Sequence, residues 1–585
     1  MTRWFVCLLV PTLAACGAGP AAGVTFDVVI ENGHIIDGTG SPWYEGDVGI
    51  LDGRIEAIGR LAAAAAKHRI DARGRVVAPG FIDMLGQSEL SLLVNPHVPS
   101  KIFQGITTEV TGEGTSAAPL NDALINADRV MYEHLRITPD WHDLHGYLAR
   151  LEKQGIGINF ATYVGATQVR RIVLGDEDRA PTPAELERMK ALVREAMQQG
   201  AVGLSSSLQY APAPYATTEE LIALASEAAR WGGIYATHLR SEGNAVLSAL
   251  EEAIRIGREA SLPVEIWHLK AAGQPNWGRM PEIVAKIEEA RRNGVDIAAD
   301  TYAYTAWFNS LSAFVPPWAH DGGDEKMLAR LKDIDTRRRI ITDMETPTSA
   351  WDNEWQEIPG PEAVLISAVQ NPSLLPVQGK DLAAVAKLRG QNPLDVLLDI
   401  LIEDRAYTSC AVFGMSPADV TLALRQPWVS VDNDSHGTAP DGLLGREHPH
   451  PRAYGTFPHI LRKYVREDHV LTLEEAIRKF TALPAQRMRF TDRGVLKQHM
   501  WADIVVFDAE GIRDLATFEN PKQLAVGMEY VLVNGVPVIA QGKATDALPG
   551  KVLRGPLLNQ PARPAAEYRG RAAGGSGEGA PEGGR

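Results

Sequence analysis

Between residues 234 and 300 a short apolar run closed by a polar residue alternates with stretches of helical periodicity. The runs are Ile234 to His238, Val264 to His268 and Val295 to Asp300, spaced about 30 residues apart. Between them Val246, Leu247, Leu250, Ile254 and Ile256 share one helical face, and Ile283, Val284, Ile287 and Ala290 share another. Strands that alternate with helices in this way pair in parallel, which predicts an α/β chain. Chemistry in such sheets gathers at the C-terminal strand ends, so His238, His268 and Asp300 are expected to face one mouth. A single histidine at a strand end is more often structural. Two at successive ends with matched spacing point instead to neutral imidazoles converging on a divalent metal.

The two chain ends have a different texture. From Phe26 to Val77, short β-branched runs are broken by turn signals such as Asn32-Gly33, Asp37-Gly38 and Asp52-Gly53. The same texture returns in Ala502 to Phe507 and Tyr530 to Val538. Residues 26–79 and 491–555 are therefore expected to build one small β domain around a unit spanning 80–490. Residues 556–585 carry almost no large apolar side chain and predict a disordered tail.

Met1-Thr2-Arg3, the apolar run Trp4 to Ala15 and then Cys16 have the layout of an export signal, too short to span a bilayer. Leu13-Ala14-Ala15-Cys16 resembles the lipobox of bacterial lipoproteins. That implies a signal over 1–16, a lipidated Cys16 as membrane anchor, a tether over 17–25 and a periplasmic or cell-surface location. The plainer alternative is a secreted protein whose Cys16 is incidental. With Cys7 removed and Cys16 acylated, Cys410 would be the lone thiol, so no internal disulfide is expected. The formal net charge of −15 excludes a nucleic-acid binder as the default, since phosphate neutralisation needs a basic face.

The chain resembles the amidohydrolase superfamily, and within it the N-acyl-D-amino-acid deacylases or D-aminoacylases. The likeness runs from about Asp27 to Gly555. It rests on Asn32 to Gly40, Val77-Ala78-Pro79-Gly80-Phe81-Ile82-Asp83, Gly105-Ile106-Thr107-Thr108, Thr237 to Gly243, His268-Leu269-Lys270, His448-Pro449-His450-Pro451-Arg452 and Gly455-Thr456-Phe457-Pro458. The resemblance implies a distorted (β/α)8 TIM barrel with a metal at its mouth, flanked by a β-sandwich built from both chain ends. It implies amide hydrolysis by a zinc-activated water, with His238 and His268 as ligands and a carboxylate as proton shuttle. Alignment through Pro427 to Val431 places that carboxylate on Asp434, with Asp432 as the rival.

Two departures from the family pattern bear on the metal. Leu85 and Gln87 stand where His-x-His is usual, so a second ion is not expected. Gly114 stands where the family has a bridging Cys, with Glu113 beside it. A carboxylate can replace thiolate on zinc, which suggests one ion held by Glu113, His238 and His268. The competing readings are a catalytically inactive binding lipoprotein and a cyclic-amide hydrolase of the same superfamily. For a small N-acylated D-amino acid or amide substrate, Arg240, Tyr210 and Lys270 are the candidate carboxylate partners. Each also has a structural alternative: Arg240 paired with Glu242, Tyr210 as wall, Lys270 as a solvated charge.

Overall fold

The computed structural model describes residues 24–555, so the signal, Cys16, most of the tether and the tail lie outside the described residues. Its centre is a closed barrel of parallel strands. In chain order the eight strands are Phe81–Asp83, Ile106–Thr111, Asn159–Thr162 continued as Val164–Gly165, Gly203–Ser207, Ile234–His238, Val264–Ile266, Ile297–Thr301 and Val429–Val431. The third strand is interrupted at Tyr163. Its first part pairs with the second strand and its second part with the fourth. Closure comes from the backbone beyond the first and eighth strands, where Met84 N donates to Val431 O at 3.3 Å and Asp434 N to Leu85 O at 2.8 Å.

The helices follow from the apolar spacing. Val246–Ala260 buries Val246, Ala249, Leu250, Ala253, Ile254, Ile256 and Gly257 on the side facing the strands. Pro183–Gln199 starts at a reciprocal cap in which Thr182 and Glu185 satisfy each other's backbone N–H. Among the described residues no helix is long and apolar enough to cross a membrane.

Between the seventh and eighth strands the chain leaves the barrel for residues 302–428. This excursion carries an antiparallel sheet of Ala306–Ser310, Ser409–Phe413 and Val364–Ala368. Part of it returns over the mouth, where the Asp352 carboxylate accepts from Ser241 Oγ at 2.5 Å and Glu242 N at 2.7 Å.

Both chain ends enter one nine-stranded sheet. The seam is Ile504–Phe507 running antiparallel to Val76–Pro79. The longest strand, Thr25–Ile35, shifts register between Ile30 and Gly33, and the sheet curls around its own apolar face of Val28, Ile30, Val48, Ile50, Ile70, Ile504, Val506 and Leu532. Asp503 pins this layer to the barrel, accepting from Asn534 N at 2.7 Å and from Asn159 Nδ2, on the third barrel strand, at 3.1 Å.

Candidate metal centre

His238 ends the fifth strand and His268 follows the sixth, while Glu113 follows the second. Their side chains meet over the C-terminal end of the barrel. His238 Nδ1 lies 3.1 Å from His268 Nε2, and Glu113 Oε1 lies 3.3 Å from the first and 3.4 Å from the second. A tetrahedral ion with bonds of about 2.0–2.1 Å holds its ligand atoms about 3.3–3.4 Å apart. The triangle therefore fits zinc in both size and donor chemistry. It is the one such cluster of three ligand groups among the described residues.

The outer nitrogens are each held by neighbouring side chains. His238 Nε2 lies 2.8 Å from Gln209 Oε1, and Gln209 Nε2 donates to Glu354 Oε1 at 3.0 Å, which fixes the amide so that its oxygen faces the ring. His238 thus carries its proton on Nε2 and directs the Nδ1 lone pair inward. His268 Nδ1 lies 2.7 Å from Lys270 Nζ and 3.0 Å from Glu242 Oε1, and its Nε2 faces the triangle. Lys270 Nζ donates to both Glu242 oxygens at 2.8 Å.

The surroundings are rich in negative charge. Burial and Lys270 push His268 toward its neutral form, but Glu242, Asp434 and Glu113 outweigh them and raise it to about 10. Burial likewise opposes charge on Glu113, yet the two imidazoles hold it well below the usual carboxylate range.

The backbone holds strain at two of these positions. His268 has φ +38° and Asp434 has φ +44°, a region that costs a non-glycine residue about 1–3 kcal/mol. Asp300 carries the first of these, its Oδ1 accepting from His268 N at 2.5 Å. Asp300 is fully buried and is not part of the ligand triangle, so the expectation that it faces the mouth is corrected. Its Oδ1 is taken by the His268 backbone, and its buried Oδ2 has no hydrogen-bond partner.

Asp434 lines a cavity of 1090 Å³ together with Glu113, His238, His268, Tyr210 and Lys270. Gln87 Nε2 donates to Asp434 Oδ1 at 3.0 Å, and Arg452 Nη1 lies 2.8 Å from Asp434 Oδ2. Burial raises the Asp434 carboxyl above its usual range despite Arg452. Asp432 is fully buried, is absent from the cavity wall, and has both carboxylate oxygens without a hydrogen-bond partner. Its carboxyl is pushed well up by burial and by Asp434.

Tyr210 packs its ring 4.8 Å from that of His238. Arg240 is differently committed. Its Nε and Nη2 both donate to Glu252 at 2.8 Å, and Nη1 and Nη2 donate to Pro214 O and Ala216 O at 2.9 Å. The pairing with Glu242 does not describe it, since Glu242 serves Lys270 and His268; Arg240 lines the cavity with most of its donors taken by Glu252 and two backbone carbonyls. Gly114 cannot take a larger residue as it stands, because a Cβ there would lie 2.6 Å from the Ser207 Cβ at φ +65°. The carboxylate that reaches the two imidazoles is that of its neighbour Glu113.

Gln209, Glu242, Glu354 and Arg452 also belong to the site, though none was singled out as a site residue from sequence. Glu242 and Arg452 lie inside the motif stretches already quoted. Glu354 lies in the excursion and has no periodic neighbour to mark it.

A closed parallel barrel with two imidazoles and a carboxylate converging at its C-terminal mouth defines the class of metal-binding barrel hydrolases. A sequence profile of the amidohydrolase family matches residues 69–539. A D-aminoacylase of Alcaligenes xylosoxydans xylosoxydans is 37% identical over 529 residues, covering 90% of this chain and 97% of the relative. The crystal structure of an N-acyl-D-glutamate deacylase from Bordetella bronchiseptica, complexed with zinc and a phosphonate inhibitor, superposes with a TM-score of 0.75 at 34% identity, covering 91% of this chain and 100% of that one. A D-aminoacylase with a binuclear metal centre, described by one-metal activation and second-metal attenuation, matches at a TM-score of 0.74 and 33% identity over 90% of this chain and 100% of its own. The chain belongs to the amidohydrolase family, in its D-aminoacylase branch.

Proposed function

We propose that this protein hydrolyses the amide bond of N-acyl-D-amino acids, using one zinc ion held by Glu113, His238 and His268. The observation that carries this reading is the ligand triangle, whose three separations match a tetrahedral ion, with Asp434 tied to it through Gln87. Zinc bound there would lower the pKa of a water and polarise the scissile carbonyl.

The chain's own groups supply the rest. Asp434, raised by burial, is suited to take a proton from the attacking water and return it to the leaving nitrogen. Arg452, with Nη1 2.8 Å from Asp434 Oδ2, sets a positive charge beside that carboxylate. Gln209 and Glu242 orient the two imidazoles. Tyr210, Arg240 and Lys270 line the cavity; of these Tyr210 is the group free to meet a substrate carboxylate, while Lys270 is held by Glu242 and Arg240 by Glu252.

The test is a screen of purified, zinc-loaded protein lacking residues 1–16 against paired N-acetyl-D- and N-acetyl-L-amino acids. Release of free amino acid from the D series alone is expected. No hydrolysis of any D substrate would overturn the reading and leave a binding protein.

The lipoprotein layout of the first 16 residues supports an exported, membrane-anchored enzyme. Cys16→Ala should abolish incorporation of labelled fatty acid and release the protein from the membrane fraction. Unchanged membrane association would refute the anchor.

A further inference from the structure

We infer that Gln87 does with two N–H bonds what a second cation would do: its amide ties the shuttle carboxylate to a metal-ligating one and closes the space between them to an ion. This rests on the one-zinc reading above and adds the device that keeps the count at one.

Gln87 Nε2 donates to Glu113 Oε2 at 2.7 Å and to Asp434 Oδ1 at 3.0 Å. One NH2 group has two hydrogens, so both are used. Two carboxylates that converge in a buried pocket repel each other unless something positive stands between them. Here that something is the donor end of a neutral amide, tethered to the chain and unable to leave. An ion entering this space would break both hydrogen bonds and strip the half-buried amide of its two acceptors, while the ion would meet the donor end of the amide in place of a ligand.

The neighbouring position removes the alternative ligand. Leu85 is fully buried and clusters with Met84, Val110, Ala161, Tyr163 and Trp267 in the barrel interior. Its carbonyl is already occupied by Asp434 N at 2.8 Å. A second ion would therefore have two shared carboxylates and no ligand of its own. Gln87 is a positioning residue: it acts through Asp434 and Glu113, setting the distance between the shuttle carboxylate and the ligand triangle.

Two variants separate this role from a packing role. Gln87→Glu replaces the donor with a carboxylate of the same shape, so that three carboxylates converge. Gln87→Met keeps the length and removes the donor. Zinc binding is read by calorimetric titration and by metal analysis after gel filtration, beside kcat and KM. Wild type should bind one zinc per chain and take no second at millimolar zinc. Gln87→Glu should take a second zinc at micromolar concentration. Gln87→Met should keep one zinc, with kcat down about tenfold or more and KM within about twofold. Gln87→Glu holding one zinc with wild-type kcat would overturn the inference, as would Gln87→Met with unchanged kcat. Wild type binding two zinc ions at micromolar concentration while deacylating D substrates would overturn it and leave the hydrolase reading standing. Zinc-free, inactive wild type would overturn both.

Discussion

Nδ1 of His238 and Nε2 of His268 face each other at 3.1 Å, with Glu113 Oε1 at nearly the same distance from each. Two imidazole lone pairs directed at one point repel unless a proton or a metal lies between them. Their outer nitrogens are already committed, to Gln209 and to Glu242, so the rings cannot turn away without losing those partners. The pair is thus held in a geometry that a cation stabilises.

Asp434 is expected to act on protons and not on the metal. Asp434→Asn should lower kcat by about 10²–10⁴-fold while zinc content stays unchanged. Loss of zinc together with activity would instead make Asp434 a ligand. Steady-state kinetics beside metal analysis distinguishes the two.

Gln209 orients His238 and is itself held by Glu354, whose carboxyl burial pushes up to about 8. Gln209→Met removes the acceptor for His238 Nε2. Zinc affinity, measured by competition with a chelating dye, should fall about 10–100-fold, the usual effect of losing the partner of a ligating histidine. Unchanged affinity would mean that the barrel wall alone orients the ring.

Much of the barrel was legible because strand, helix and strand recur with one period, and strand ends are where polar residues interrupt apolar runs. His238 and His268 could be found for that reason, whereas Glu113 came only from its place beside the family's bridging-Cys position at Gly114. Glu354 and Gln209 could not, because their relation crosses from the excursion to the fourth strand's loop and follows no spacing in the chain. Arg240 shows the converse. Its place beside His238 suggested a substrate contact, but Glu252, on the next helix, and two loop carbonyls take its donors.

Arg240 and Lys270 should therefore respond differently. Arg240→Gln is expected to lower Tm with KM within about twofold, since only structural partners are lost. Lys270→Met is expected to lower zinc affinity about tenfold or more, because it removes the ammonium that holds Glu242 beside His268. Unchanged zinc affinity in Lys270→Met, or a KM raised about tenfold in Arg240→Gln, would contradict these assignments.

Asp514 gives the fold an acid-sensitive contact. Burial pushes its carboxyl up, but His459 Nδ1 at 2.9 Å and Arg462 Nε at 2.7 Å outweigh this and hold it at about 2. A folded-state value below the unfolded value of about 3.9 stabilises the protein above about pH 4, and the stabilisation is lost as pH falls toward about 2. Asp514→Ala should cost about 1–2 kcal/mol at pH 7, allowing for solvent screening at the partly exposed Arg462. In urea unfolding the difference from wild type should shrink below pH 4. A gap that widens with acid would give the contact the opposite sign.

Metal analysis of the purified protein lacking residues 1–16, beside its His238→Ala and His268→Ala variants, tests the central claim most directly. The account predicts about one zinc per wild-type chain and none in either variant, with deacylation of D substrates lost alongside the metal. Wild type that holds no zinc after loading, or a His268→Ala variant that turns over at the wild-type rate, would contradict it.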